Sequence, residues 1–182
     1  MLKIVRDLSS RHLYGVVSDK PTWRVVIPVI YEQIIQHKFG FSCKLPNNDT
    51  WEAYTVDGIP VLRNCKNVFF LANDYLLFGA PNDKCYIMNI KSRTAIANMA
   101  FDAVLVFIGD SNEATEFDSK TDVFDLVLRT TYSLEGAHIE SSLCAKSNGL
   151  WGIIDVNSNT ITTDFTHSKL IQKSGNRITV IG

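Results

Sequence analysis

The sequence predicts a mainly β fold: one domain over residues 1–182, built of stacked β-hairpin repeats with one or two short helices. Three observations carry this. Short stretches rich in Val, Ile, Phe, Tyr and Trp recur along the chain, and clusters of Asp, Asn, Ser, Gly and Pro separate them. An aromatic–glycine–β-branched motif occurs near each end, as "LYGVV" and "LWGII". The chain has 182 residues, 46% hydrophobic and 20% charged, which is the balance of an ordinary globular protein with a sizeable core.

Taken in order, strands are expected at 2–6, 13–18 and 24–30. The stretch "PVIYEQIIQHKFG" (28–40) carries two readings. Pro at its start, Gly at its end and apolar residues at 30, 31, 34, 35 and 39 fit a helix, whereas the repeat pattern makes it a strand. Strands follow at 51–56, 59–63, 67–72, 75–79 and 84–90, with "RTAIANMAFDAV" (93–104) as a second helix candidate. Further strands are expected at 103–108, 123–131, 151–156 and 177–181, with alternation clearest in "VFDLVL" and "RITVI". Between them, 110–122 reads as a loop with five acidic residues and one lysine. It suits either a boundary between two halves or a long exposed loop within one domain.

The glycine in "GLWGIID" (149–155) is unusual, because glycine inside a strand gives up packing and has the most backbone freedom to lose. A second copy argues for a repeated unit. Tyr14-Gly15 is followed by Tyr31 after 17 positions, and Trp151-Gly152 by Phe165 after 14. Looser copies without the glycine run from Tyr54 to Phe69 and from Tyr86 to Phe101. The turns between legs, "VSDKPT", "TVDGIP", "NIKSRT" and "DVNSNT", hold the residues that favour tight reversals. The starts at 14, 54, 86 and 151 are separated by 40, 32 and 65 residues, a period expected of small units that stack to share a core.

These residues resemble WG repeats. Trp151 and Gly152 match the signature dipeptide; in the first copy Tyr14 replaces the Trp, while Gly15, Ile27, Pro28, Tyr31 and Ile34 keep the rest. The last copy has Ile161-Thr162 where the family has Ile-Pro, and the two middle copies lack both Gly and Trp. The resemblance covers about a third of the chain and implies a β-rich binding scaffold rather than a reaction.

Catalytic and metal-binding patterns are missing from the sequence. The acidic loop fails as an EF-hand from Asp110, having Ala114, Thr115 and Thr121 where a ligand, a glycine and a glutamate are required. His12, His37, His138 and His167 form no metal-ligand spacing, and His138 near Glu140 reads as neighbouring polar residues on a strand face. No nucleophile elbow, phosphate loop or nucleotide fingerprint occurs. No cofactor and no metal are expected. Cys43, Cys65, Cys85 and Cys144 form no C-x-x-C pair and read as buried free thiols. The N-terminus lacks the apolar core of a signal peptide, and "VVIPVI" and "AVLVFIG" are too short to span a bilayer, so a cytoplasmic location without membrane is expected.

Net charge is −1, which gives no global attraction to nucleic acid, and no direct nucleic-acid contact is expected. Residues 110–140 nevertheless carry eight acidic side chains against two basic ones. Asp110, Glu113, Glu116, Asp118, Asp122 and Asp125 are therefore candidates for a docking surface, since a concentrated negative patch steers a basic partner. The functional expectation is a non-enzymatic protein-binding domain, in its specific form a bacterial immunity protein that neutralises a cognate, basic nuclease toxin. The alternative is a WG-repeat scaffold that binds another protein or a surface glycan.

Overall fold

The computed structural model describes residues 1–8, 12–71, 74–107, 114–126, 142–174 and 177–181. Among the described residues, five antiparallel sheets succeed one another in sequence order. The first contains β1 (Leu2–Arg6), β2 (Tyr14–Ser18) and β3 (Arg24–Tyr31). The second is β4 (Gln33–His37), β5 (Gly40–Lys44), β6 (Trp51–Thr55) and β7 (Pro60–Cys65), and the third β8 (Asn67–Phe70), β9 (Tyr75–Gly79), β10 (Cys85–Asn89) and β11 (Thr94–Ala95). The fourth contains β12 (Ala103–Phe107), β13 (Ala114–Phe117), β14 (Ser142–Ser147), β15 (Leu150–Asp155) and β16 (Thr160–His167). Its order is β13-β12-β14-β15-β16, and a ribbon of β17 (Lys169–Ser174) and β18 (Arg177–Ile181) follows. A 3₁₀ turn at Ile96–Asn98 and one helical turn over 123–126 are the helical segments among the described residues. The mainly β architecture of hairpin units agrees with the sequence expectation.

The aromatic–glycine motif has a geometric cause. In the β2–β3 pair, Tyr14 lies opposite Tyr31 and Val16 opposite Ile27, so β3 advances four residues while β2 advances two. The β15–β16 pair repeats this, with Trp151 opposite His167 and Ile153 opposite Thr163. The surplus residues bulge toward the glycine between. A Cβ on Gly15 would lie 2.8 Å from the Ile27 carbonyl oxygen, and one on Gly152 2.7 Å from that of Thr163. The bulge thus presses backbone onto backbone, and no side chain fits. In β6–β7 the partner advances three residues between Trp51 and Ala53, and Glu52 takes the glycine's place. One fewer surplus residue leaves room for a side chain.

By this register the counterparts of Tyr14 and Trp151 are Trp51 and Cys85, the latter bridged to Phe101, rather than Tyr54 and Tyr86. Two clusters fill the interior. Val16, Ile27, Tyr31, Phe41, Cys43 and Tyr54 form one between the first two sheets. A larger one, including Val68, Leu76, Ile87, Phe101, Phe117 and Ile154, joins the second, third and fourth.

Several local expectations need correction. Of the two readings of 28–40, the helix falls and the strand stands: β3 ends at Tyr31 and β4 runs over Gln33–His37. Pro28 sits in the β3 bulge, where a missing N–H costs no ladder bond, and Lys38-Phe39 form the tight turn between His37 and Gly40. Residues 93–104 are not an α-helix: β11 leads into the 3₁₀ turn, Ala97 has φ 53°, and Ala103 already begins β12. The acidic stretch is not loop throughout, because 114–117 pairs with β12. Residues 123–126 of the expected strand 123–131 form the helical turn instead, and the remainder lies outside the described residues. Strands β5, β14 and β17 lie outside the expected set, and β16 is expected only as the return leg of the last repeat.

Candidate functional site

Residues 114–126 form a strap that runs back across the earlier sheets. Its inward side chains Phe117, Val123 and Leu126 are buried in the larger cluster. At the third sheet, buried Asn67 fastens it: the Asn67 amide donates to the carbonyls of Asp118 and Thr121, each at 2.9 Å, and accepts the Gly79 N–H at 2.8 Å. The turn lies flat on Gly79, where a Cβ would be 2.6 Å from the Ser119 Cα. Ser119, Lys120 and Thr121 then share a polar cleft of about 430 Å³ with residues 48–50 and 64–66 around the second sheet. Phe124 finally reaches the first sheet, beside Ile4 and Tyr14.

The strap sorts the sequence-predicted acidic residues. Glu116 is exposed on β13 with its carboxylate 3.6 Å from Lys146. Asp118 is turned inward on its own turn, accepting from the Lys120 N–H at 2.8 Å and the Thr121 hydroxyl at 3.1 Å. Asp122 caps the helical turn by accepting from the Phe124 N–H at 2.8 Å and the Asp125 N–H at 3.4 Å. Asp122 and Asp125 are exposed, with Phe124 between them. Asp110 and Glu113 lie outside the described residues.

Phe124 is 48% exposed and forms one wall of a cleft of about 550 Å³. Ile4, Tyr14 and Ile34 supply further apolar walls, and Glu32 and Gln33 supply polar lining. Glu32 also holds Lys44 at 2.9 Å, and Lys44 in turn holds Asp49 at 2.9 Å. The Arg6 guanidinium lies over the Tyr14 ring, 5.9 Å from its centre. Sequence reasoning passed over this cleft, because its walls come from β1, β2, β4 and the strap.

A second polar cluster lies between the first two sheets. The Tyr31 and Tyr54 hydroxyls donate to Glu52 at 2.6 and 2.8 Å, and the two phenol oxygens are 2.5 Å apart. Burial, then the bond to Glu52, raises the Tyr31 phenol far above its usual range; burial likewise raises Tyr54. Neutral phenols that share one carboxylate satisfy a half-buried acid, with Arg63 4.0 Å from its other oxygen, and the arrangement reads as internal bonding. All four cysteines are free and buried, and burial pushes the thiols of Cys65, Cys85 and Cys144 up to about 12. Such thiols are poor nucleophiles at neutral pH.

Among the described residues, no group of three or more His, Cys, Asp and Glu side chains could hold a metal ion, and no helix is long and apolar enough to cross a membrane. His138 and Glu140 lie outside the described residues. No protein-family model and no curated protein matches the chain.

Proposed function

We propose that this chain is a non-enzymatic, cytoplasmic protein-binding domain, and in its specific form a bacterial immunity protein that occludes a basic, nuclease-type toxin. The observation that carries the reading is the strap. It presents Glu116 at its start, beside Lys146, and Asp122 and Asp125 at its end next to exposed Phe124, on a segment fastened by Asn67. Preorganisation lowers the entropic cost of association, acidic groups steer a basic partner, and the exposed aromatic at one end supplies an anchor. Asp118 contributes to the field while its carboxylate holds the turn.

Capture from source cells tests this. A basic protein recovered at one-to-one stoichiometry, whose toxicity is relieved by co-expression, is the expected result. Charge reversal as Glu116→Lys with Asp125→Lys should then slow association at least about tenfold at low salt, and less as salt rises. Failure to bind any basic protein would overturn the proposal.

One observation favours the scaffold alternative. The doubled register slip recurs in β2–β3, β6–β7 and β15–β16, which supports a WG-repeat-like array whose partner is another protein or a surface glycan. A partner without net positive charge would favour it.

A further inference from the structure

We infer that the cleft beside Phe124 takes an arginine side chain presented on a loop of the partner protein. The inference rests on the protein-binding reading and adds the side-chain class that the site recognises. The cleft falls within the usual size range of ligand pockets, about 300–1,000 Å³. Its walls suit a side chain that is apolar along its stem and cationic at its tip. Ile4 and Ile34 offer aliphatic surface for three methylenes, and Tyr14 and Phe124 line the cleft with aromatic side chains, of which Phe124 is 48% exposed. The Glu32 carboxylate and the Gln33 amide oxygen are acceptors for its N–H groups. Asp122 and Asp125 flank Phe124 in sequence and add two exposed negative charges to this end of the strap.

The Arg6 guanidinium of this chain already lies over the Tyr14 ring, 5.9 Å from its centre, so Phe124 is the ring that an incoming cation meets. Arginine is favoured over lysine because its flat, weakly hydrated head stacks on rings and bonds an acceptor pair at once, whereas an ammonium keeps its water. Glu32 keeps its bond to Lys44 whatever enters, and a purely apolar side chain would forgo the charge match to exposed Asp122 and Asp125.

Calorimetric titration of the full chain with nona-arginine and with nona-lysine at low salt tests the assignment. Nona-arginine should bind at least about threefold tighter. Phe124→Ala should weaken it by about tenfold, while Ile161→Ala, at an exposed position on β16, should change nothing. Methyl resonances of Ile4 and Ile34 should shift on binding. Asp122→Asn keeps the helix cap and removes the charge, so paired with Asp125→Asn it should reduce affinity with the fold intact. Equal binding to the wild type and Phe124→Ala, or unmoved methyl resonances, would overturn the cleft. If a basic protein is still captured and is still slowed by Asp125→Lys, the protein-binding reading stands and the arginine assignment alone fails. Loss of that capture, with nona-arginine still bound through Phe124, is the opposite result: it keeps the cleft chemistry and removes the partner.

Discussion

Gly152 is fixed by what a methyl group would strike, the Thr163 carbonyl at 2.7 Å and the Phe165 ring at 2.9 Å. Gly152→Ala should destabilise by about 1–3 kcal/mol, measured by denaturant unfolding, because the backbone on the far side must move. Its neighbour Trp151 is 5% exposed, with Lys146 over its ring. Trp151→Ala should cost about 3–5 kcal/mol in the same experiment, and an unchanged midpoint would show that the ring is no core anchor. His37 gives a pH signature. The Ser42 hydroxyl donates to the Val68 carbonyl at 2.9 Å, so it must accept from His37 Nε2, 2.8 Å away; the ring is neutral and lies against Phe69 and Phe70. Burial lowers its pKa from the ordinary 6.5 to about 3. Below about pH 6.5 the unfolded chain takes a proton that the folded chain refuses, so stability falls as the pH drops from about 6.5 toward 3. His37→Gln, which still donates to Ser42, should flatten that limb.

At the scale of the element, the strap holds only if its fastening does. Asn67→Ala leaves the carbonyls of Asp118 and Thr121 and the N–H of Gly79 without their bonds to this side chain. The expected loss is about 1–3 kcal/mol, with faster amide exchange through 115–126 than through β9. The strap also shows where sequence reading succeeds and where it stops. Strands rich in β-branched or aromatic residues, such as β3, β6 and β15, were legible because local composition and pairing agree. Residues 28–40 were ambiguous because their apolar spacing fits both periods, and the tight turn at Lys38-Phe39 lacks the usual Asn-Gly signal. In the acidic stretch the charge is visible but the fastening is not. Phe117 and Val123 look isolated in sequence, and Asn67, which holds the turn between them, comes from 51 residues earlier than Asp118. The cleft at Phe124 was illegible for the same reason.

Across the whole molecule, the two interior clusters share the second sheet, which supplies Phe41, Cys43 and Tyr54 to one and Ile35, Trp51 and Ala53 to the other. That sheet couples the halves. All four cysteines report on it together, since Cys43, Cys65, Cys85 and Cys144 are buried in the second, third and fourth sheets. A small alkylating reagent at pH 8 should label none of them in the native protein and all four in denaturant; partial labelling below the transition would mark a sheet that opens alone.

The strap has one more consequence, which concerns time rather than strength. A chain emerging from the ribosome presents the first three sheets well before residues 114–126 exist. Ile4 and Tyr14 then wait for Phe124, and Asn67 and Gly79 wait for the turn at Asp118 to Thr121. Neighbouring hairpins close early because their loops are short, but this closure joins Phe124 to Ile4 and Tyr14 across the first three sheets and belongs to the slow end of folding. Until it happens, the apolar surface that Phe117, Val123 and Leu126 will cover is open to water and to other chains. The nascent protein therefore exposes this surface at least until its strap is made, and the rest of the cluster until Leu143, Ala145 and Ile154 follow.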